Sequence, residues 1–300
     1  MMSSRNIFII SFVTLAMMIF LIWKGLSMRR EIESQEVIPL DSGIAAVTGS
    51  NYLVDKLKIR LHDNGKSKKI TYDEMGMCVF KGLSNQKSYT LEFRRTDLKG
   101  MLLYKKLKLK VTPREGGAKY FVLVGASVGK SWEFPKLADR LNLGPEIVLG
   151  YRCRYDFDKS NEINTLTKLT VPVSGVIIKE CAAYFPRDII SSKKRIIRWV
   201  TKLRSNGVTP ILATIVPVTK EHDENHPQKF DSILEFNDFI RDYAVGEGIA
   251  TIDLEKALRI SAEDRHLKDE YADPDGLHLV LKAYRENLDN LVLPLLAKDN

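Results

Sequence analysis

One serine, one histidine and one aspartate in this chain stand in contexts that suggest chemistry. The serine is Ser127, in the stretch FVLVGASVGKSW that starts at Phe121. Three kinds of site share parts of that text: a phosphate-cradling loop, a G-x-S-x-G nucleophile elbow, and other serine hydrolases in which an apolar strand ends in G-x-S. A phosphate loop needs four residues between its first glycine and the Gly-Lys pair, because that length wraps the phosphates. Only Ala126, Ser127 and Val128 separate Gly125 from Gly129, so the loop is one residue short and nucleotide binding is set aside. The elbow fits letter for letter, yet it ordinarily follows several strands and an oxyanion loop, whereas Ser127 closes the first strand of its domain.

A serine nucleophile needs a base, and the base needs a group that orients it. The chain has five histidines. YADPDGLHLVLKAY places Asp275 three residues before His278, directly ahead of the last helix. On one tight turn, the carboxylate can hold the imidazole in the tautomer whose other nitrogen faces the serine. Plainer readings stand beside this one. Small residues at Gly125, Ala126 and Gly129 also permit tight packing of a helix on a strand, and His278 can cap the last helix. Cys181 reads as a small buried residue rather than a nucleophile. In the HDENHP segment (222–227), His222, Asp223 and His226 match no standard metal spacing, so the segment reads as a solvated loop. No metal and no cofactor is expected.

The elements that must position these residues begin at Lys119. FVLVGAS (121–127), GVIIKE (175–180), VTPILATIVPV (208–218) and GIATIDL (248–254) read as buried parallel strands. Ile196, Val200 and Leu203 form a helical stripe that stops at Asn206-Gly207; Phe236, Phe239, Ile240 and Tyr243 form another, and a last helix covers Leu281 to Leu291. The alternation predicts a doubly wound parallel α/β sheet with functional groups at the carboxyl ends of its strands.

With both blocks in view, the chain from about Lys119 onward resembles the SGNH (GDSL-like) hydrolase family. A strand followed by G-D-S corresponds to Gly125-Ala126-Ser127, and D-x-x-H corresponds to Asp275-Gly276-Leu277-His278. The resemblance implies a three-layer α/β/α, flavodoxin-like domain with Ser127 as nucleophile, His278 as general base and then acid, and Asp275 as the orienting carboxylate. It also implies an oxyanion hole formed by the Ser127 N–H, a glycine N–H, for which Gly150 in EIVLGYRCRYD is the candidate, and an asparagine side chain. The asparagine position falls on Ala183 in GVIIKECAAYFP, and Glu180 is expected to point toward the same region. Loss of one such donor typically lowers the rate by about 10²- to 10³-fold. Two outcomes therefore stay open: a serine ester hydrolase or O-acyltransferase acting on an acylated small molecule or polysaccharide, and a non-catalytic binder with the same fold.

The rest of the chain is organised differently. Ile7 to Trp23 is an uncharged run that as a helix would reach roughly 26 Å, enough to span a bilayer with little tilt. It ends in WKGLSMRR without a small-x-small cleavage site, which favours an uncleaved single-pass anchor. Lys24, Arg29 and Arg30 against Arg5 and the amino terminus would by a strict positive-inside count keep the body in the cytoplasm, but the count is close and an extracytoplasmic body is the expectation. The three cysteines form no C-x-x-C pair, so no disulfide framework is implied. Residues 55–110 hold fifteen Lys or Arg against six Asp or Glu, which accounts for the net charge of +8. Within that region LVDKLKIRL, KKITYDE, KSYTLEFRR and LYKKLKLKV alternate apolar with polar residues between turn signals, which predicts a small antiparallel sandwich. Leu83 and Tyr89 in GLSNQKSYTLEFRRTD resemble the fibronectin type III pattern, in which a tyrosine pins a turn. The basic surface is expected either to be a solvated face of a spacer or to grip an anionic lipid or polymer; no nucleic acid is expected. The expected organisation is an anchor at 1–30, a linker at 31–45, the β-sandwich at 46–114 and the hydrolase-type domain at 115–300.

Overall fold

The computed structural model describes residues 35–48, 56–95 and 106–296. The chain divides into two units, Met1–Glu115 and Gly116–Asn300. The apolar run at 7–23 lies outside the described residues, and among those described no helix is long and apolar enough to cross a membrane.

The first unit is all-β and antiparallel. Strands β1 (Glu36–Leu40), β2 (Gly43–Val47) and β5 (Met77–Lys81) make one sheet in the order β1-β2-β5. Strands β3 (Leu57–Asp63), β4 (Lys66–Thr71), β6 (Tyr89–Arg95) and β7 (Lys106–Val111) make the other, in the order β4-β3-β6-β7. Ile44, Ala46 and Phe80 from the first sheet share one apolar core with Ile59, Leu61, Leu91 and Phe93 from the second. The Tyr89 hydroxyl accepts a hydrogen bond from the Ser84 N–H at 2.9 Å and so ties the turn before β6.

The expected linker at 31–45 is corrected by this arrangement, because β1 and most of β2 lie inside it and pair in register from Glu36↔Val47 to Leu40↔Gly43. Two features hid these strands. Pro39 argues against a central strand, but β1 is an edge strand, where the missing N–H costs no ladder bond. In β2, GIAAV is buried at every position, so the alternation that marks a half-exposed strand is absent.

The second unit is built on five parallel strands: β8 (Lys119–Gly125), β9 (Ile147–Cys153), β10 (Gly175–Lys179), β11 (Thr209–Ala213) and β12 (Ala250–Ile252). Their order is β12-β11-β10-β8-β9. β9 is the strand that the apolar-run reading passed over, since Gly150 and the buried Arg152 interrupt its hydrophobic pattern; Arg152 is accommodated by donating to the Tyr120 hydroxyl at 3.0 Å. Helices cover both faces. Phe121 and Leu123 of β8 join a core with Trp132, Leu254, Leu288 and Val292. The alternate residues Val122 and Val124 point to the opposite face, as does Leu212 of β11, on the side of the buried Ile196, Val200 and Leu203 of the helix Ile189–Arg204 and Phe236 and Ile240 of the helix Lys229–Glu247.

This strand order places the topological switch point between β8 and β10, the neighbours from which the chain winds in opposite directions. In open α/β sheets, the crevice outside the carboxyl ends of such a strand pair is where ligands bind. Ser127 follows β8, and Glu180 and Cys181 follow β10.

Candidate active site

Ser127 opens the five-residue helix α1 (Ser127–Ser131) immediately after β8. The small residues around it divide into two kinds. A Cβ on Gly129 would lie 2.7 Å from Tyr151 Cε2 and 3.0 Å from Leu123 Cδ2, so this glycine is required for α1 to sit on the sheet. A Cβ on Gly125 would meet nothing closer than 3.5 Å. The second glycine of G-x-S-x-G is thus a packing residue. Lys130, which completes the Gly-Lys pair, is exposed on α1. Tyr151 further fixes the entry to the helix by donating its hydroxyl to the Ala126 carbonyl.

The structure brings Ser127, His278 and Asp275 together across 151 residues. In the tautomer that satisfies both contacts, the Ser127 Oγ–H donates to His278 Nε2 at 2.9 Å, and His278 Nδ1–H donates to Asp275 Oδ2 at 2.5 Å. Asp275 Oδ1 accepts the N–H groups of Leu277 and His278, each at 2.9 Å. Burial acts to raise the Asp275 carboxyl, but the His278 N–H, its imidazole and the Leu277 N–H outweigh it and hold the group down at about 2. The carboxylate is therefore ionised and oriented across the neutral pH range.

The turn that carries these groups is held from outside. Gly276 adopts φ +65°, and a Cβ there would collide with Thr219 Oγ1 at 2.4 Å and His222 Cβ at 2.8 Å, so the residue between Asp275 and Leu277 has to be glycine. Its carbonyl accepts the Thr219 N–H at 3.0 Å, and His222 Nδ1 donates to the Asp275 carbonyl at 2.8 Å. Here the HDENHP reading is corrected. His222 lies in the helix α2 (Lys220–Asn225), capped by the Thr219 hydroxyl, and braces the turn of the candidate acid. Thr219 directly ahead of a charged helical stretch was the available signal, an N-cap residue with its helix. Among the described residues no group of three or more His, Cys, Asp or Glu is arranged to hold a metal ion.

The expected oxyanion residues fare differently. As the first residue of α1, Ser127 has an N–H without an intrahelical acceptor. Gly150 is not at the site's edge: it pairs with Val122 inside the sheet, three residues before β9 ends at Cys153. Ala183 lies exposed in the turn Ala182–Tyr184, and its methyl group has nothing to donate. The side chain from this segment that reaches Ser127 is Cys181, whose Sγ is 3.9 Å from Ser127 Oγ.

Glu180 is engaged elsewhere. Its carboxylate accepts from Lys159 Nζ at 2.6 Å, and the two side chains are 1% and 0% exposed. Burial pushes Glu180 up to about 7, against the pull of the Lys159, Lys179 and Arg187 charges. Lys159, which sequence reasoning did not single out, also donates to the Asp156 carbonyl at 2.9 Å. Lys179 ends β10 beside Gly125: a Cβ on that glycine would sit 3.9 Å from Lys179 Cδ. Lys179 is fully buried, its Nζ has no hydrogen-bond partner among the described residues, and burial lowers it to about 8 despite the nearby Cys181 and Glu180.

A hydroxyl aligned with an imidazole and an oriented carboxylate defines a site equipped for nucleophilic catalysis. No family model and no curated protein matches the chain. Solved structures that are similar to it include a GDSL-like lipase from Bacteroides thetaiotaomicron, with 14% identity and a TM-score of 0.47 over 59% of this chain and 87% of that one. A lipase/acylhydrolase from Enterococcus faecalis has 18% identity and a TM-score of 0.46, covering 59% and 94% of the two chains. An aryl esterase from M. smegmatis has 14% identity and a TM-score of 0.42, covering 60% and 97%.

Proposed function

We propose that this chain is a serine ester hydrolase or O-acyltransferase. The observation that carries this reading is the hydrogen-bonded line from Ser127 through His278 to Asp275 at the switch point of the sheet. Ser127 Oγ attacks the ester carbonyl carbon as its proton passes to His278 Nε2, and the imidazolium is stabilised by Asp275. The carbon–oxygen bond to the leaving alcohol breaks, and that alcohol takes the proton from His278. Water, or a hydroxyl of an acceptor sugar, then attacks the acyl-serine by the same proton path in reverse. The negative oxygen formed in each step faces the Ser127 N–H. The buried Lys179 cation at the end of β10 adds positive potential near Cys181, whose Sγ is 3.9 Å from Ser127 Oγ.

The body of the protein belongs, on this reading, outside the cytoplasm, held to the membrane by the run at 7–23, with an acylated polysaccharide or other acylated envelope component as substrate. The first unit is fibronectin type III-like, a reading supported by its three-plus-four strand order and by the Tyr89 hydroxyl bonded to Ser84. A non-catalytic envelope binder is the competing reading, and the positions of Ala183 and Gly150 favour it. Turnover of p-nitrophenyl acetate separates the two. Ester cleavage that disappears in Ser127→Ala supports the hydrolase, and folded wild-type protein without activity toward acetyl, butyryl or longer acyl esters would overturn it.

A further inference from the structure

The four-stranded sheet of the first unit has one face in the core and one turned outward. Leu57, Ile59 and Leu61 of β3 and Leu91 and Phe93 of β6 point inward. By strand alternation, the outward face carries Lys58 and Arg60 of β3, Lys69 of β4, Arg94 of β6, and Lys106, Lys108 and Lys110 of β7. Among the described residues a single carboxylate, Glu92, shares it. Glu92 is buried among its neighbours, 2.9 Å from Arg94 and 3.9 Å from Lys108.

The register makes this face costly to build. Lys58 lies directly across from Arg94, Arg94 directly across from Lys106, and Arg60 directly across from Lys69. Like charges in directly opposed positions destabilise an antiparallel pair. Of the two charged cross-strand rows, Lys58–Arg94–Lys106 is of one sign, while in the other Glu92 lies between Arg60 and Lys108. The charges also form a two-dimensional array. Neighbouring strands are about 4.8 Å apart and same-face residues about 6.8 Å apart along a strand, so the cations spread over four strands rather than along one line. A linear polymer matches a row, whereas a lipid headgroup layer matches a patch.

We infer that the outward face of the sheet β4-β3-β6-β7 docks onto an anionic lipid bilayer. Twelve residues separate Trp23 from Glu36, and fully extended they reach at most about 40 Å. With the run at 7–23 in a membrane, Glu36 therefore stays within about 40 Å of the headgroups. The inference is independent of the chemistry at Ser127.

The test uses the full chain and phosphatidylcholine vesicles, either pure or doped with phosphatidylglycerol, at low and high salt. The apolar run contributes equally to both vesicle types. The tested variant is K69Q/K106Q/K108Q/K110Q, four exposed lysines of the face; the control is K168Q/K194Q/K202Q/K256Q, four exposed lysines of the second unit with the same change in net charge. The expected result is tighter binding to doped vesicles that salt weakens, reduced on the order of fivefold per neutralised lysine in the sheet variant. The control binds as wild type and keeps the wild-type unfolding temperature, and the sheet variant unfolds no lower than wild type, since Lys69 and Lys106 each face a like charge. Equal binding to the two vesicle types, or equal losses in the two variants, overturns the inference. So does displacement from doped vesicles by polyphosphate of the same phosphate content, which would make a linear anion the partner.

Discussion

Two turns in the second unit each present a histidine beside an aspartate, and only one of them reaches a nucleophile. His266 Nδ1 meets Asp264 at 2.8 Å, its Nε2 meets Asp223 at 3.4 Å, and its ring stacks on Phe230 with the centroids 3.8 Å apart. Both nitrogens of that imidazole face carboxylates, so the ring is a fully occupied structural connector. His278 has a carboxylate on Nδ1 and the Ser127 hydroxyl on Nε2. The cations of the two regions differ as well. Lys220 pairs with Asp264 at 2.6 Å on the surface, while Lys179 is buried near Cys181 without a hydrogen-bond partner. An aspartate beside a histidine therefore does not by itself mark a catalytic base; what distinguishes His278 is the hydroxyl facing its second nitrogen.

The sharpest way to break the comparison is to alter the carboxylate behind His278. Asp275→Asn keeps the shape of the turn but favours the wrong tautomer, and kcat for ester cleavage is expected to fall by about 10⁴-fold, as is typical of this substitution in a triad. A loss below about tenfold would place His278 with His266 as a structural residue. Lys179→Met tests the buried cation near Cys181. It is expected to lower kcat by about 10²-fold, with a much smaller effect on KM, since the charge acts on the transition state. The same variant should unfold at a higher temperature at neutral pH, because a buried charge without a partner is removed.

Glu180 gives a pH signature to the region behind Ser127. Its folded-state value is raised to about 7 by burial, from an ordinary 4.5. Between those values the folded chain holds a proton that the unfolded chain has released, so this group's contribution to stability falls as pH rises from about 4.5 to 7. Chemical denaturation across that window should show a negative slope that is reduced in Glu180→Gln. The smallest effect is expected on the other side of the comparison. His266→Gln should cost about 1 kcal/mol of stability, through lost hydrogen bonds, and leave kcat unchanged.

Much of the second unit was legible because its strands are short, apolar and punctuated, and because the chemistry-bearing residues sit at strand ends. GVIIKE gives β10 almost to the residue. That Ser127, Asp275 and His278 come together was foreseeable because one turn carries two of them and one strand end carries the third. The oxyanion positions were not, for a geometric reason: Gly150 looked like a donor in linear sequence, but three further residues of β9 follow it, which only the register with β8 reveals. The ion pair of Lys159 with Glu180 joins residues 21 apart, and nothing local in the text requires it. In the first unit, alternation exposed the half-solvated strands of one sheet, while β1 and β2 lacked that pattern because of Pro39 and the uniformly buried GIAAV.

The central claim is that Ser127 is the nucleophile and that His278 activates it. Intact-protein and peptide mass spectrometry after exposure to a fluorophosphonate tests this directly, because the reagent reports the activated hydroxyl without requiring the natural substrate. The account predicts one adduct per chain, located on Ser127, absent in Ser127→Ala, strongly slowed in His278→Asn and unchanged in His266→Gln. Well-folded wild-type protein that gains no adduct, or one whose adduct lies on another residue, would contradict it.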